Sequence, residues 1–325
     1  MKSIILTLSL LIVSSSMMSQ KQFKKNRKTV QKIQSLTQEN IYNAKLLETQ
    51  EYQEFISYIT SQEVLSLDTF EFAKAFNRKA NTLSFSHYYL GTKNKKKNSK
   101  KKKVVPFELE ELSQETVMLH LRKFVADGAA ITKIVQEISQ KGYKNLIIDL
   151  RNNSGGTLDA AVILGRFLTN QTIDAGAYVT RKWYDEMGET PSLEEIQKFK
   201  FLGGFTYKDF QDIQEELAFR MVLPGNSNAT FQGEVFVLTN NQTASACEPF
   251  VHVLKTHNAA QIIGETTAGQ MLSANWFKVN KDISIFIPVN DYLTAEGTRL
   301  DQIGVKPHIE IDADKALQTA LDSID

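Results

Sequence analysis

The chain has 325 residues, 42% of them hydrophobic and 10% aromatic, enough to bury a full core in one large domain with an accessory region. Its 38 Lys and Arg against 37 Asp and Glu leave a net charge of +1, which excludes nucleic acid or another polyanion as a general partner. Cys247 is the only cysteine, so an intramolecular disulfide is excluded and stability rests on packing.

In chain order, residues 1–20 have the form of a secretory signal peptide: Lys2, an apolar run over 4–13 too short to span a bilayer, then a serine- and methionine-rich stretch. This predicts export, periplasmic or secreted. An uncleaved anchor is the other reading, and no cysteine follows the run to take a lipid. Residues 21–92 predict an N-terminal helical region, because Val30, Ile33, Ile41, Leu46 and Leu47 recur at helical spacing, as do the apolar residues of 52–58 and 69–76. Residues 93–105 open with the like-charge run KNKKKNSKKKK, which cannot fold on itself and predicts an exposed flexible loop; contact with an anionic surface is the sharper alternative.

From 106 to 325 strands and helices alternate. Strands are expected at 117–121 and 146–150 and helices at 129–140 and 158–168, the rhythm of a sheet covered by helices. Residues 176–232 break that rhythm with a longer, partly helical excursion (192–199 and 207–220), either decoration or a lid. Further strands are expected at 235–238, 261–264, 276–279 and 283–288, and a last helix at 314–321. No repeat of solenoid type is present.

Two stretches carry candidate chemistry. Asp149-Leu150-Arg151-Asn152-Asn153-Ser154-Gly155-Gly156 follows the most apolar strand, where open α/β sheets place ligands, and its glycines leave backbone N–H groups able to hold an oxyanion. It lacks the spacing of either nucleotide-binding fingerprint. The second is Asn240-Asn241-Gln242-Thr243-Ala244-Ser245-Ala246-Cys247-Glu248, where a strand becomes a helix. Ser245 there is either an N-cap or a nucleophile, and a base decides which. Of the five histidines, His252 and His257 fall on the following helix, His308 sits beside Pro307, His120 lies in an apolar strand, and His87 lies among aromatics after a helix. No histidine pair has metal-ligand spacing, so neither a metal nor a cofactor is expected.

The two stretches, followed by Ile263-Gly264-Glu265-Thr266-Thr267-Ala268-Gly269 and Ile303-Gly304-Val305-Lys306-Pro307, resemble the ordered signature blocks of the carboxy-terminal processing (tail-specific) serine peptidases. The resemblance implies an α/β fold with a crotonase/ClpP-like ββα core, a polypeptide substrate and Ser245 as nucleophile. In the serine–lysine branch of that family a lysine stands where this chain has Gln270, so that dyad does not transfer. The tricorn-core branch instead pairs a Ser-His dipeptide with an acid near the chain end. It implies Ser86 and His87, with Asp301 as the acid and Glu296 in reserve.

Gly155 or Gly156 together with Ala246 would then supply the oxyanion-hole N–H groups, and the family's PDZ domain is missing, as in the retinoid-binding-protein-like members. The function so implied is an exported serine-type endopeptidase whose activity falls below about pH 6–7 as a histidine base protonates. The alternative is a catalytically inactive relative that binds a hydrophobic ligand or a peptide. The oligomeric state is not legible.

Overall fold

A computed structural model describes residues 2–93, 105–125, 127–202, 216–226 and 231–324, with side chains from Gln20 onward. In chain order its elements are α1 (Lys2–Asn40), a 3₁₀ turn (Ala44–Glu48), α2 (Gln50–Ile59), α3 (Gln62–Ser66), α4 (Thr69–Ala80), β1 (Tyr89–Thr92), β2 (Phe107–Glu111), β3 (Thr116–Leu121) and α5 (Gly128–Lys141). Then come β4 (Asn145–Asp149), α6 (Leu158–Leu168), β5 (Ile173–Thr180), α7 (Arg181–Met187), α8 (Leu193–Lys198), β6 (Ala218–Leu223) and β7 (Glu234–Thr239). The chain closes with α9 (Cys247–Thr256), β8 (Gln261–Gly264), β9 (Ser273–Lys278), β10 (Ile283–Leu293), β11 (Ile309–Glu310) and α10 (Ala316–Asp322).

These elements form two compact units, residues 1–100 with 274–289 and residues 101–273 with 290–325. The second unit carries a sheet in the order β11-β8-β7-β4-β3-β2. Only β2 runs antiparallel to its neighbour; β3, β4, β7, β8 and β11 are parallel. The core strands are covered on both faces, so they read as unbroken apolar runs rather than alternating ones. On one face Leu119, Leu121, Leu146, Ile148 and Val237 pack with α5, α6 and α9; on the other, Met118, Ile147, Phe236, Leu238 and Ile263 pack with α10. Each such side chain contributes roughly 1.5–3 kcal/mol on burial. β5 pairs with β6 and with residues 290–293 of β10 in a separate antiparallel set. The architecture is the mixed α/β fold with an N-terminal helical region that the sequence implied.

In the first unit, Val30 and Ile33 of α1 are buried together with Phe55, Phe72 and Phe76. Tyr88 stacks obliquely or edge-on against Tyr52, Phe55, Phe76 and Phe85, and its hydroxyl meets Thr37 Oγ1 at 2.8 Å. β1 pairs antiparallel with residues 283–286 of β10. Asn77 of α4 mimics a further strand at β1: its Oδ1 accepts from Leu90 N at 2.7 Å while its Nδ2 donates to Leu90 O at 3.0 Å. That clamp fixes the chain three residues after His87.

The structure corrects two expectations. Residues 218–220, read as the end of a helix over 207–220, are the start of strand β6. The remainder of that helix, through residue 215, is largely outside the described residues, as is the lysine run from residue 94 to 104. Residues 274–289 join the first unit and so interrupt the core expected over 106–325. Helix α1 continues through the boundary expected at residue 20. No helix among the described residues is long and apolar enough to cross a membrane.

Candidate active site

Strand β7 ends at Thr239, helix α9 begins at Cys247, and the connection places Ser245 at φ 57°. That left-handed backbone is uncommon for a residue with a side chain and costs of order 1–3 kcal/mol, a strain that persists only where surrounding contacts over-determine it. Those contacts are visible. Asn240 Oδ1 accepts from Asn152 N and Gln242 N, at 2.9 and 3.1 Å, while its Nδ2 donates to Asn152 Oδ1 at 3.0 Å. Thr243 Oγ1 donates to Leu150 O at 2.9 Å, and Ala244 N to Asn153 O at 3.0 Å. The loop after β4 and the loop after β7, the two sequence motifs, are thereby locked to each other.

Gly155 and Gly156 sit beneath this elbow. A Cβ on Gly155 would lie 2.7 Å from Ser245 Cβ and 2.9 Å from Ala246 N, and the residue has φ +86°, so only glycine fits. Gly156 adopts φ +146° against the Phe124 carbonyl. The Gly155 N–H is spent on Asn153 Oδ1 at 2.9 Å, which removes Gly155 from the pair of candidate oxyanion donors. Neither the Gly156 N–H nor the Ala246 N–H donates a hydrogen bond among the described residues. Gly156 is exposed and Ser245 half-buried, so the junction is open to a substrate.

Sequence reasoning passed over Glu248 as an organiser of this junction. Wholly buried in the first turn of α9, it accepts hydrogen bonds from Thr267 Oγ1 (2.7 Å), Gly269 N (2.8 Å), Gln270 N (2.8 Å) and Ser245 N (3.1 Å). Burial pushes its carboxyl up to about 7, against the opposing pull of those donors. The signal was present: Ser245-Ala246-Cys247-Glu248 has the S-x-x-E form of a capping box. Only half of the box forms, Glu248 Oε2 with Ser245 N, while Glu248 N reaches Ser245 O instead of the side chain. The cap therefore leaves the Ser245 hydroxyl unused. Gln270 holds the elbow through its backbone alone, its carbonyl accepting from Ser245 N at 3.0 Å, and its side chain is exposed. Cys247, directly below, is fully buried and its thiol is pushed well up by burial, which makes it inert.

Asp301 is buried, and its Oδ1 accepts from Met271 N at 3.0 Å, one residue beyond Gln270. It thus belongs to the same unit and the same local network as Ser245. Glu296, the reserve acid, is engaged by His252 Nε2 at 3.1 Å; burial works to raise its carboxyl, but hydrogen bonds from Thr294 and His252 leave it lowered. Ser86 and His87 lie in the first unit. His87 has φ 60°, a second left-handed non-glycine residue, and its Nδ1 meets Ser86 Oγ at 2.7 Å. With the ring proton on Nδ1, donated to Ser86, Nε2 is left as an acceptor. Burial lowers His87 to about 4. The acid limb expected near pH 6–7 accordingly moves downward.

The other histidines are committed elsewhere. His120 Nε2 meets Glu110 at 2.7 Å, His257 Nδ1 the Val253 carbonyl at 3.2 Å, and His308 Nδ1 accepts from Ile262 N at 2.9 Å. Among the described residues no group of three or more His, Cys, Asp or Glu could hold a metal ion.

Residues 115–311 match the sequence model of Peptidase family S41. The chloroplastic C-terminal processing peptidase of Tetradesmus obliquus is 27% identical over 198 residues, covering 60% of this chain and 34% of that protein. The chain thus spans about a third of the length of such curated relatives. Among solved structures, a lipoprotein from Streptococcus agalactiae aligns over 91% of this chain and 94% of its own, with a TM-score of 0.57 at 15% identity, a likeness of fold. The match extends over the Gly155–Gly156 loop, the Ser245 elbow and Asp301, and the chain belongs to peptidase family S41.

Proposed function

We propose that the chain is an exported serine-type endopeptidase in which Ser245 is the nucleophile, His87 the general base and Asp301 the acid of the triad. His87 Nε2 removes the hydroxyl proton as Ser245 Oγ attacks a peptide carbonyl carbon. The oxyanion that forms is held by the N–H groups of Gly156 and Ala246, each such donor being worth roughly 3–4 kcal/mol in related chemistry. Collapse breaks the C–N bond, the His87 proton leaves with the amine, and water then releases the acyl group by the same route reversed. Asp301 stabilises the imidazolium that forms, and Ser86, in contact with Nδ1, orients the ring so that Nε2 is free to accept.

One observation carries this reading: Ser245 stands in strained left-handed backbone at a junction where the Gly156 and Ala246 N–H groups donate to nothing among the described residues, while its hydroxyl is spared from the helix cap. Ser245→Ala and His87→Ala should each lower peptide hydrolysis at least ~10⁴-fold and abolish labelling by a serine-directed phosphonate. Gln270→Ala, which alters only an exposed side chain, should keep both. Turnover surviving in His87→Ala would overturn the triad. Export rests on the form of residues 1–20, and amino-terminal sequencing of the protein recovered from cells tests it.

A further inference from the structure

Within the first unit, β10 pairs with both β1 and β9. Leu90, Ile283, Ile285 and Ile287 alternate onto one face of this ribbon and are buried. The opposite face carries rings where an open sheet face ordinarily carries polar groups. Tyr89 stands directly across from Phe286 in the β1–β10 ladder, and the Trp276 ring of β9 lies 4.9 Å from Phe286 and 5.4 Å from Tyr89. Trp276 is 52% exposed and Tyr89 37%, so nothing covers the rings. Gly91 makes room for them: a Cβ there would lie 2.8 Å from Trp276 Cη2 and 2.9 Å from Cζ3, so the indole is seated on backbone alone. The aromatic face runs up to the proposed base, whose ring lies 5.6 Å from that of Phe286.

His87 hands its proton to the leaving amine, and for that transfer the nitrogen comes within about 3.2 Å of the ring. The Cα of the residue that carries the amine is bonded to this nitrogen, at about 1.46 Å. Its side chain is therefore the first substrate group beyond the base on the amine side, and the exposed rings adjoin that base within one unit.

Resting on the serine-peptidase reading, we propose that Trp276, Tyr89 and Phe286 form a shelf that receives the side chain on the amine side of the scissile bond and favours an aromatic one. A further ring extends the tilted and edge-on stacking already present. A lysine would set its charge beside the imidazolium that His87 becomes, which opposes uptake of the Ser245 proton. A carboxylate would meet the negative faces of the rings. A glycine would leave the shelf wet.

The test uses the purified chain with peptides that differ only at the amine-side residue: Gly, Ala, Phe, Trp, Asp and Lys. Phenylalanine and tryptophan should exceed glycine, aspartate and lysine in kcat/KM by at least ~10-fold, the scale of discrimination an apolar surface supplies. Trp276→Ala should cut that ratio to ~3-fold or less, and Trp276→Phe should restore most of it. Gly91→Ala, which pushes the indole off its seat without removing a ring, should also cut it, and serves should Trp276→Ala fold poorly. Lysine, aspartate or glycine preferred, or a ratio that Trp276→Ala leaves unchanged, would overturn the shelf. Labelling of Ser245 by a phosphonate that carries only acyl-side residues keeps the two readings apart: labelling without an aromatic preference sinks the shelf alone, whereas neither turnover nor labelling sinks both.

Discussion

Ser245 and His87 share a property that composition and spacing do not disclose: both are non-glycine residues held at positive φ. Asn152 and Gln302, in the loop after β4 and beside Asp301, are two more. Strain of this kind clusters where side-chain placement matters more than backbone comfort. Gly155 makes the dependence testable. Gly155→Ala adds a Cβ 2.7 Å from the Ala244 carbonyl and from Ser245 Cβ, at a φ that alanine resists. It should cost about 1–3 kcal/mol in a urea melt and, by displacing the elbow, at least ~10²-fold in kcat. Wild-type activity in this variant would detach the elbow's geometry from function. The base has its own signature in pH. His87 is lowered by burial to about 4, so it stays neutral, and able to accept a proton, throughout the range above pH 5, and is lost as a base only when the pH falls through the folded value. The kcat/KM profile of the unaltered chain should be flat from pH 7 down to about 5; an acid limb centred above pH 6 would contradict that burial. The residue types and their order were legible in the sequence; the φ values and the Ser86–His87 contact were not, because they follow from tertiary packing.

Helix α9 and strands β3, β4, β7 and β8 were legible as elements because both faces of the sheet are buried and their apolar runs are bounded by turn residues. The elements that escaped lack that signal. β2 reads Phe-Glu-Leu-Glu-Glu, an edge strand with charges outward; β5 carries Asp174, Gly176 and a register shift between Asp174 and Ala177; β1 is four residues with a glycine. β6 was absorbed into a helix because the acidic residues before it scan as helix formers. At this scale Glu248 matters most, since one carboxylate in the first turn of α9 satisfies four donors from the elbow and from the segment 267–270. Glu248→Ala leaves Thr267 Oγ1, Gly269 N and Gln270 N without that acceptor, while Ser245 N keeps the Gln270 carbonyl, and should cost at least about 3 kcal/mol, the desolvation penalty of more than one group. Phosphonate labelling of Ser245 should slow in parallel, because the Gln270 carbonyl that holds the Ser245 N–H moves with that segment. A variant of unchanged melting temperature would show that water replaces the carboxylate without loss. The charge state adds a direction. Glu248 is raised from the ordinary carboxylate range to about 7, so the folded chain binds more protons than the unfolded one between about pH 4.5 and 7. Its contribution to stability therefore declines as the pH rises through that window.

The two-unit organisation was the least legible feature, since residues 274–289 return to the N-terminal unit from far along the chain, and hairpin pairing to β1 across that separation leaves no local trace. The same long-range logic governs the chain end. Ala313 is clipped by Arg151 Nη1, which donates to its carbonyl at 2.6 Å, and by Glu265 Oε1, which accepts from its N–H at 3.2 Å; Arg151 in turn forks onto Asp149. Beyond the clip, Ala316 and Ala320 of α10 lie against Met118, Ile147, Phe236, Leu238 and Ile263. Both clipping residues sit in the signature blocks, Arg151 ahead of Gly155 and Glu265 after β8, so the chain end braces the strands that carry the elbow. Ending the chain after Ile311 removes the cover of one sheet face and leaves the Arg151 guanidinium without its carbonyl. Loss of the apolar contacts at α10 should lower the midpoint of thermal unfolding by several degrees and raise binding of a dye that reports exposed apolar surface. Arg151→Lys, which keeps the charge but not the fork, should lower it less, since α10 still covers the sheet. If the truncated chain melts at the wild-type temperature with no rise in dye binding, the sheet face does not depend on α10. If Arg151→Lys falls as far as the truncation, the clip rather than the apolar cover is what holds the end of the chain.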